Sequence, residues 1–186
     1  LTDSFRLLRD HTYDEKHMRL DKPVTGASVC MHAGFGPVRA SQSVGSMVSH
    51  LTLDGDTHWL TGTSAPCISA FKPIWLTAGL PNGDWTAGAR YDSTSLWWRH
   101  EKNHRAMLAN FDHWLSQVQP RRDALEAEWI KESTRRPGQS LSQECLVAGD
   151  ALNALIAQQL QSSKAVQNTA FYYRSAWQGW SEKVGL

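Results

Sequence analysis

The spacing of apolar residues changes near residue 95 of this 186-residue chain, and that change constrains the fold more than any other feature. Before it, the segments 28–31, 43–53 and 57–62 have strand character. Residues 54–56 (Asp-Gly-Asp) predict a hairpin turn between the second and third segments, because glycine readily adopts positive φ. After it, apolar residues recur every three or four positions, as in amphipathic helices. We therefore predict an α+β fold with strands first and helices second.

Proline and capping residues divide the helical half. One apolar stripe extends to residue 118, and Pro120 is predicted to separate this helix from a second one over residues 121–132. Ser140 begins a capping box, Ser-x-x-Gln, that predicts the start of a third helix. A last helix is predicted over residues 169–183. The tryptophans fall at helical spacing, which indicates core contacts rather than a carbohydrate-binding platform.

We interpret the chain as a single domain or a large piece of one, because no linker divides it. Residues 1–95 are expected to form a strand-rich layer with a short N-terminal helix over residues 3–9, where Asp3 or Ser4 provides the N-cap. Residues 96–186 are expected to form a helical layer. Residues 11–26 read as a loop, because they are polar and contain both proline and glycine.

Composition excludes several functional classes. With 41% hydrophobic and 20% charged residues, the chain is typical of globular proteins. A net charge of +1 gives no reason to expect a nucleic acid or a membrane as partner. No apolar run approaches the ~20 residues of a membrane span, and no signal peptide is visible. Cys30, Cys67 and Cys145 are too few and too widely spaced for a disulfide framework, which favours a reducing, cytoplasmic location.

One short motif suggests a metal. Residues 100–104 read His-Glu-Lys-Asn-His, the His-Glu-x-x-His signature in which His100 and His104 bind zinc from one helix face and Glu101 activates water. Lys102 inside the motif and Arg99 before it oppose a cation at this place. The alternative is that both histidines belong to the inner stripe of the helix.

Three further features could carry chemistry. Cys30 and His32 would share one face of a strand, but alternate residues on a strand seldom converge as a nucleophile and its base, so a buried thiol is favoured. Cys67 follows Pro66 in a loop, where it could be exposed and reactive, whereas Cys145 lies on an apolar helix stripe. The turn that contains Thr61 either lines a pocket or simply ends a strand.

Several of these segments together resemble a known family. The C-terminal part of the secernins and related dipeptidases, which are N-terminal-nucleophile (Ntn) hydrolases, contains similar blocks. The resemblance covers roughly residues 5–105. After residue 123 the chain is similar to the family only in its helical character. Its strongest blocks are residues 29–33, 41–49, 58–67, 69–73 and 96–101.

The resemblance implies a four-layer αββα sandwich and cysteine-type hydrolysis of amide bonds in short peptides. The N-terminal nucleophile of the family would lie upstream of Leu1, so no catalytic residue is assigned to this chain, and neither a metal nor another cofactor is expected. Candidates for the substrate-pocket wall are His32, Arg39, Ser43 and Thr61, with Arg39 suited to a peptide carboxylate unless it is a solvated loop residue.

The expected partners are a short peptide or other amide substrate and the rest of the same polypeptide. Association into a homo-oligomer is left open. Two alternatives to the Ntn hydrolase remain: a zinc-dependent peptidase that uses the histidine motif at residues 100–104, and a non-catalytic interaction protein that retains the fold.

Overall fold

A computed structural model describes residues 1–11, 20–21, 28–34, 39–83, 86–163 and 166–186. Within these residues it contains five α-helices and one three-stranded antiparallel sheet. The prediction of a fold that mixes α and β elements is confirmed, whereas most of the predicted loop at 11–26 lies outside the described residues. The elements are α1 Thr2–Leu8, β1 Met47–His50, β2 Thr57–Leu60, β3 Lys72–Ile74, α2 Leu96–Met107, α3 Phe111–Arg135, α4 Gln139–Ser162 and α5 Phe171–Val184.

The sheet has the strand order β1-β2-β3. The predicted hairpin is confirmed: Met47 pairs with Leu60 and His50 with Thr57, and Gly55 adopts a φ of 134° in the turn. The predicted strand at residues 28–31 is wrong, because this segment makes isolated bonds, such as Ser43 N to Met31 O at 2.9 Å, and no ladder.

β3 was not predicted, because its central residue is proline, which usually argues against a strand. Here Pro73 lies in a three-residue strand that pairs with β2. All three of its residues are buried, and Ser142 of α4 donates its hydroxyl to Pro73 O at 2.8 Å. Contacts with α4 therefore stabilise this strand, in addition to its pairing with β2.

Burial differs sharply across the sheet. Trp59 of β2 is fully buried, whereas three of the four residues of β1 are exposed. Large apolar side chains in and beside β1 face solvent: Val44, Met47, Leu51 and Leu53. Among the described residues β1 has β2 as its only neighbouring strand, so it is an edge strand with an apolar, exposed surface.

The helix boundaries correct two predictions. Pro120 lies inside α3 and does not separate two helices. The break instead occurs at a 3-10 turn over Leu108–Asn110. The buried residues Val118 and Arg122 flank the proline, and packing of this face outweighs the cost of about 3 kcal/mol that an internal proline carries.

The helix termini also differ from the predictions. The predicted cap at Ser140 is wrong, since α4 begins after Gly138, whose φ of 138° suits glycine. The predicted cap at Asp3 or Ser4 is wrong as well, because α1 already begins at Thr2. The last helix agrees with the prediction to within two residues at its start and one at its end.

Among the residues that the structure describes, two apolar clusters form the core. One joins Cys30 and Cys67 to α2, α3 and α5, and the other joins Phe5 of α1 to the sheet and to α3 and α4. Six tryptophans of the described ranges are buried, in agreement with the predicted core role: Trp59, Trp75, Trp98, Trp114, Trp129 and Trp177. Cys145 is fully buried in the second cluster, as predicted. Across the described part of the chain, no helix is both long and apolar enough to cross a membrane.

β3 also buries a cation. Lys72 is 8% exposed and donates from Nζ to Ala70 O at 2.7 Å. Burial lowers the pKa of Lys72 from 10.5 to about 8, and the Glu126 carboxylate offsets this only in part. The unfolded chain therefore holds this proton up to a higher pH than the folded chain does. Linkage then requires that the Lys72 contribution to stability rise with pH across this window.

Replacing Lys72 by methionine should remove that pH dependence. We expect the free energy of unfolding of the natural chain, relative to that of Lys72→Met, to rise by about 3 kcal/mol between pH of about 8 and 10.5. Urea denaturation at a series of pH values measures the difference. Lys131→Met, at an exposed position of α3, is the matched control and should show no such trend. Parallel pH curves for the natural chain and Lys72→Met would contradict the expectation.

Candidate functional site

Two thiols and two imidazoles converge where the N-terminal segment, the 28–34 segment and the β2–β3 loop meet. The residues are His11, Cys30, His32 and Cys67, and their sulfur and ring-nitrogen atoms all lie within 4.8 Å of one another. Cys30, His32 and Cys67 are buried, and His11 is half-buried. We call this group the Cys/His cluster. Among the described residues it is the only group of potential metal ligands brought together in this way.

His32 is at the centre of the cluster. Its Nε2 lies 3.1 Å from His11 Nε2, 3.3 Å from Cys67 Sγ and 3.7 Å from Cys30 Sγ. The aromatic ring of Phe111 packs edge-on against the His32 imidazole, with ring centroids 4.7 Å apart. The four polar groups therefore share a small volume with an apolar wall.

The other nitrogen of His32 belongs to a chain of hydrogen bonds that leads to α2. His32 Nδ1 lies 3.0 Å from His104 Nε2, and His104 Nδ1 lies 3.1 Å from Glu101 Oε2. In the tautomer in which His104 donates its Nδ1–H to the carboxylate, His104 Nε2 accepts the Nδ1–H of His32. This tautomer, assigned from the hydrogen-bond network, leaves the lone pair of His32 Nε2 directed into the cluster.

Glu101 anchors this chain and is fully buried. Its carboxylate accepts hydrogen bonds from Ser64 Oγ at 2.5 Å, Arg105 Nε at 2.7 Å and Gln42 Nε2 at 3.2 Å, besides His104. Burial by itself would raise the pKa of Glu101, but the hydrogen bonds outweigh it and hold the pKa far below its usual 4.5. The carboxylate is therefore ionised at neutral pH and fixes the orientation of His104.

The environment shifts the pKa values of the two thiols in opposite directions. The hydrogen bond from the Cys67 thiol is the main factor that lowers the pKa of Cys30, whereas burial raises the pKa of Cys67. Burial also lowers the pKa of His32 to about 4, so this imidazole is neutral at pH 7. A thiol whose pKa is lowered, a thiol whose pKa is raised and a neutral imidazole thus lie close together. Such a set can bind a soft metal ion or activate a sulfur nucleophile.

A cleft of about 520 Å³ reaches the cluster, and both His11 and Cys67 line it. Arg9 lies beside it and is paired with the carboxylate of Glu126. Arg122 donates to the carbonyl oxygen of Cys67 and to Asp123 Oδ1. The cationic groups at the cleft therefore already have anionic or carbonyl partners.

The predicted pocket residues lie in different surroundings. His32 belongs to the Cys/His cluster. Arg39 is 2% exposed and donates to His32 O at 2.7 Å and to Leu20 O at 3.0 Å, so the alternative of a solvated arginine is wrong. Ser43 Oγ accepts from Met31 N at 3.0 Å, and the fully buried Thr61 donates to Thr63 O at 3.1 Å. Their role in binding a substrate stays a prediction.

The histidine motif of α2 does not form a metal site in this arrangement. His100 Nε2 lies 3.0 Å from Ser64 O, so it donates to that carbonyl. Both nitrogens of His104 are engaged, by Glu101 and by His32. Burial lowers the pKa of His100 to about 3, which keeps it neutral. The motif is part of the packed inner face of α2, as the alternative interpretation held.

Sequence reasoning found Cys30 and His32 as a pair but missed the cluster. For Cys67 the sequence left open an exposed, reactive position, but the residue is 2% exposed, in a loop where Ala65 adopts a φ of 50°. His11 was read as part of a polar loop. The residue types were the only available signal, since the four residues come from three segments that lie far apart in the sequence.

Comparison of the chain with models of protein families, with curated proteins and with solved structures found no match.

Proposed function

We propose that this chain is the C-terminal, non-nucleophilic part of a secernin-like Ntn hydrolase that cleaves amide bonds of short peptides in the cytoplasm. The resemblance of residues 29–33, 41–49, 58–67, 69–73 and 96–101 supplies the reaction class. The attacking N-terminal cysteine and its α-amino base would come from the upstream part of the same polypeptide. That part would also complete a four-layer αββα sandwich.

The exposed edge of the sheet is the observation that carries the proposal. Met47 of β1 and the flanking residues Val44, Leu51 and Leu53 face solvent, with exposed fractions of 58–106%. Natural proteins seldom leave an edge strand both unpaired and apolar, because such an edge recruits another strand. A further strand and layer of the same polypeptide would cover this surface.

The resembling segments also form one unit in the structure. Glu101 binds Ser64 and Gln42, and Ser43 N donates to Met31 O at 2.9 Å. Ala65 N in turn donates to Ser43 O at 2.9 Å. Four separate blocks of resemblance thus share one hydrogen-bonded network, which supports their treatment as one structural unit.

A comparison of dipeptide hydrolysis tests the proposal. We expect the 186-residue chain to release no amino acids from a panel of dipeptides, and a longer gene product that begins with cysteine to do so. Replacing that N-terminal cysteine by alanine should reduce turnover to background. Turnover by the 186-residue chain that is lost in Cys67→Ala or Cys30→Ala, and retained in Cys145→Ala, would assign the nucleophile to this chain and overturn the proposal.

A further inference from the structure

We propose that the Cys/His cluster is a zinc site in which His11, Cys30, His32 and Cys67 are the four ligands. This inference does not depend on the proposed hydrolase function, because it rests only on the positions and chemistry of these side chains. It also differs from the histidine motif of α2, whose His104 would support a ligand rather than be one.

The distances suit a tetrahedral ion. With Zn–N of about 2.0–2.1 Å and Zn–S of about 2.3 Å, the edges of a tetrahedron are about 3.4 Å for two nitrogens and about 3.6 Å for nitrogen and sulfur. The corresponding distances from His32 Nε2 are 3.1 Å to His11 Nε2, 3.3 Å to Cys67 Sγ and 3.7 Å to Cys30 Sγ. The remaining ligand pairs lie within 4.8 Å, so a bound ion would draw the farthest ones inward.

The ligand set selects zinc by charge and softness. Two thiolates and two neutral imidazoles around one Zn²⁺ give a net charge of zero, which suits a buried site. Four protein ligands fill the tetrahedron and leave no open position for water, which is the arrangement of a structural site rather than a catalytic one. Carboxylate-seeking ions such as Mg²⁺ and Ca²⁺ are disfavoured by the sulfur ligands.

The outer contacts are those that a metal-bound histidine requires. His32 donates its Nδ1–H to His104, which in turn donates to Glu101, so the lone pair on Nε2 is available and correctly aimed. His104 and Glu101 are positioning residues in this arrangement. The ion would tie the segment after α1 and the β2–β3 loop to α2 through this chain of hydrogen bonds.

Zinc titration of the 186-residue chain tests the site. After chelation and reduction, we expect one Zn²⁺ per chain by elemental analysis and a rise in Tm of about 5–10 °C at a free zinc concentration of about 100 Kd. Co²⁺ alone should give the intense visible bands of a tetrahedral thiolate site. The Co²⁺ spectrum needs no substitution, so the test holds even if a variant fails to fold.

Matched alanine variants assign the ligands. Cys67→Ala and Cys30→Ala should weaken zinc binding by more than about 100-fold, since the loss of outer contacts alone weakens it about 10–100-fold. Cys145→Ala removes an equally buried thiol of the other core cluster and should retain one zinc per chain. The proposal is overturned by a natural chain that binds no stoichiometric zinc, by ligand variants that bind as tightly as Cys145→Ala, or by a Cys30–Cys67 disulfide that forms again after reduction whether or not zinc is present.

Discussion

Replacing Glu101 by alanine is expected to lower the free energy of unfolding at pH 7 by about 3–5 kcal/mol. The carboxylate is fully buried and accepts hydrogen bonds from four side chains, among them Arg105 at 2.7 Å. Its removal leaves the guanidinium of Arg105 and the imidazole of His104 without their anionic partner in the interior. The loss of one buried charge from a hydrogen-bonded network is among the most destabilising single changes.

Denaturation in urea measures this effect, and pH provides a second check. Because the folded-state pKa of Glu101 lies below its unfolded value of 4.5, the stabilisation is fully present above that pH and declines as the pH falls below it. The free energy of unfolding of the natural chain should therefore exceed that of Glu101→Gln by less in acid than at neutral pH. Glu128→Ala, at an exposed position of α3, should change stability by no more than about 0.5 kcal/mol. A loss of less than 1 kcal/mol in Glu101→Ala would contradict the central role of this carboxylate.

Replacing Phe5 by alanine is expected to lower the free energy of unfolding by about 3–5 kcal/mol. Phe5 is 1% exposed and stacks on Phe71 with ring centroids 4.3 Å apart and an interplanar angle of 8°. It also contacts the ring of Trp59 at 5.5 Å. These contacts attach α1 to the sheet, so truncation opens a cavity and frees the helix.

The matched control is Phe171→Ala, at a position of α5 that is 76% exposed, which should cost little. Tryptophan fluorescence adds a second readout, because release of α1 would expose Trp59, one of nine tryptophans, and shift the emission of the chain to longer wavelength. Unchanged stability and emission in Phe5→Ala would show that α1 is not held to the sheet by this side chain.

The hairpin and the last helix could be predicted from the sequence, because their signals are local. Gly55 supplies the turn, and the apolar stripe of α5 repeats at helical spacing. The prediction at Pro120 was wrong because it considered only the local cost of proline in a helix. Packing of the buried face of α3 on either side of Pro120 outweighs that cost. The candidate site depends on contacts between distant segments. No periodicity links His11 or Cys67 to His32, and only the tertiary fold brings them together.

The N-terminal sequence and intact mass of the mature gene product decide whether this chain belongs to an Ntn hydrolase. We predict a protein larger than 186 residues whose first residue is cysteine, with the sequence of this chain in its C-terminal part. A mature product whose first residue is not cysteine, serine or threonine would contradict it, because an Ntn hydrolase requires a terminal nucleophile.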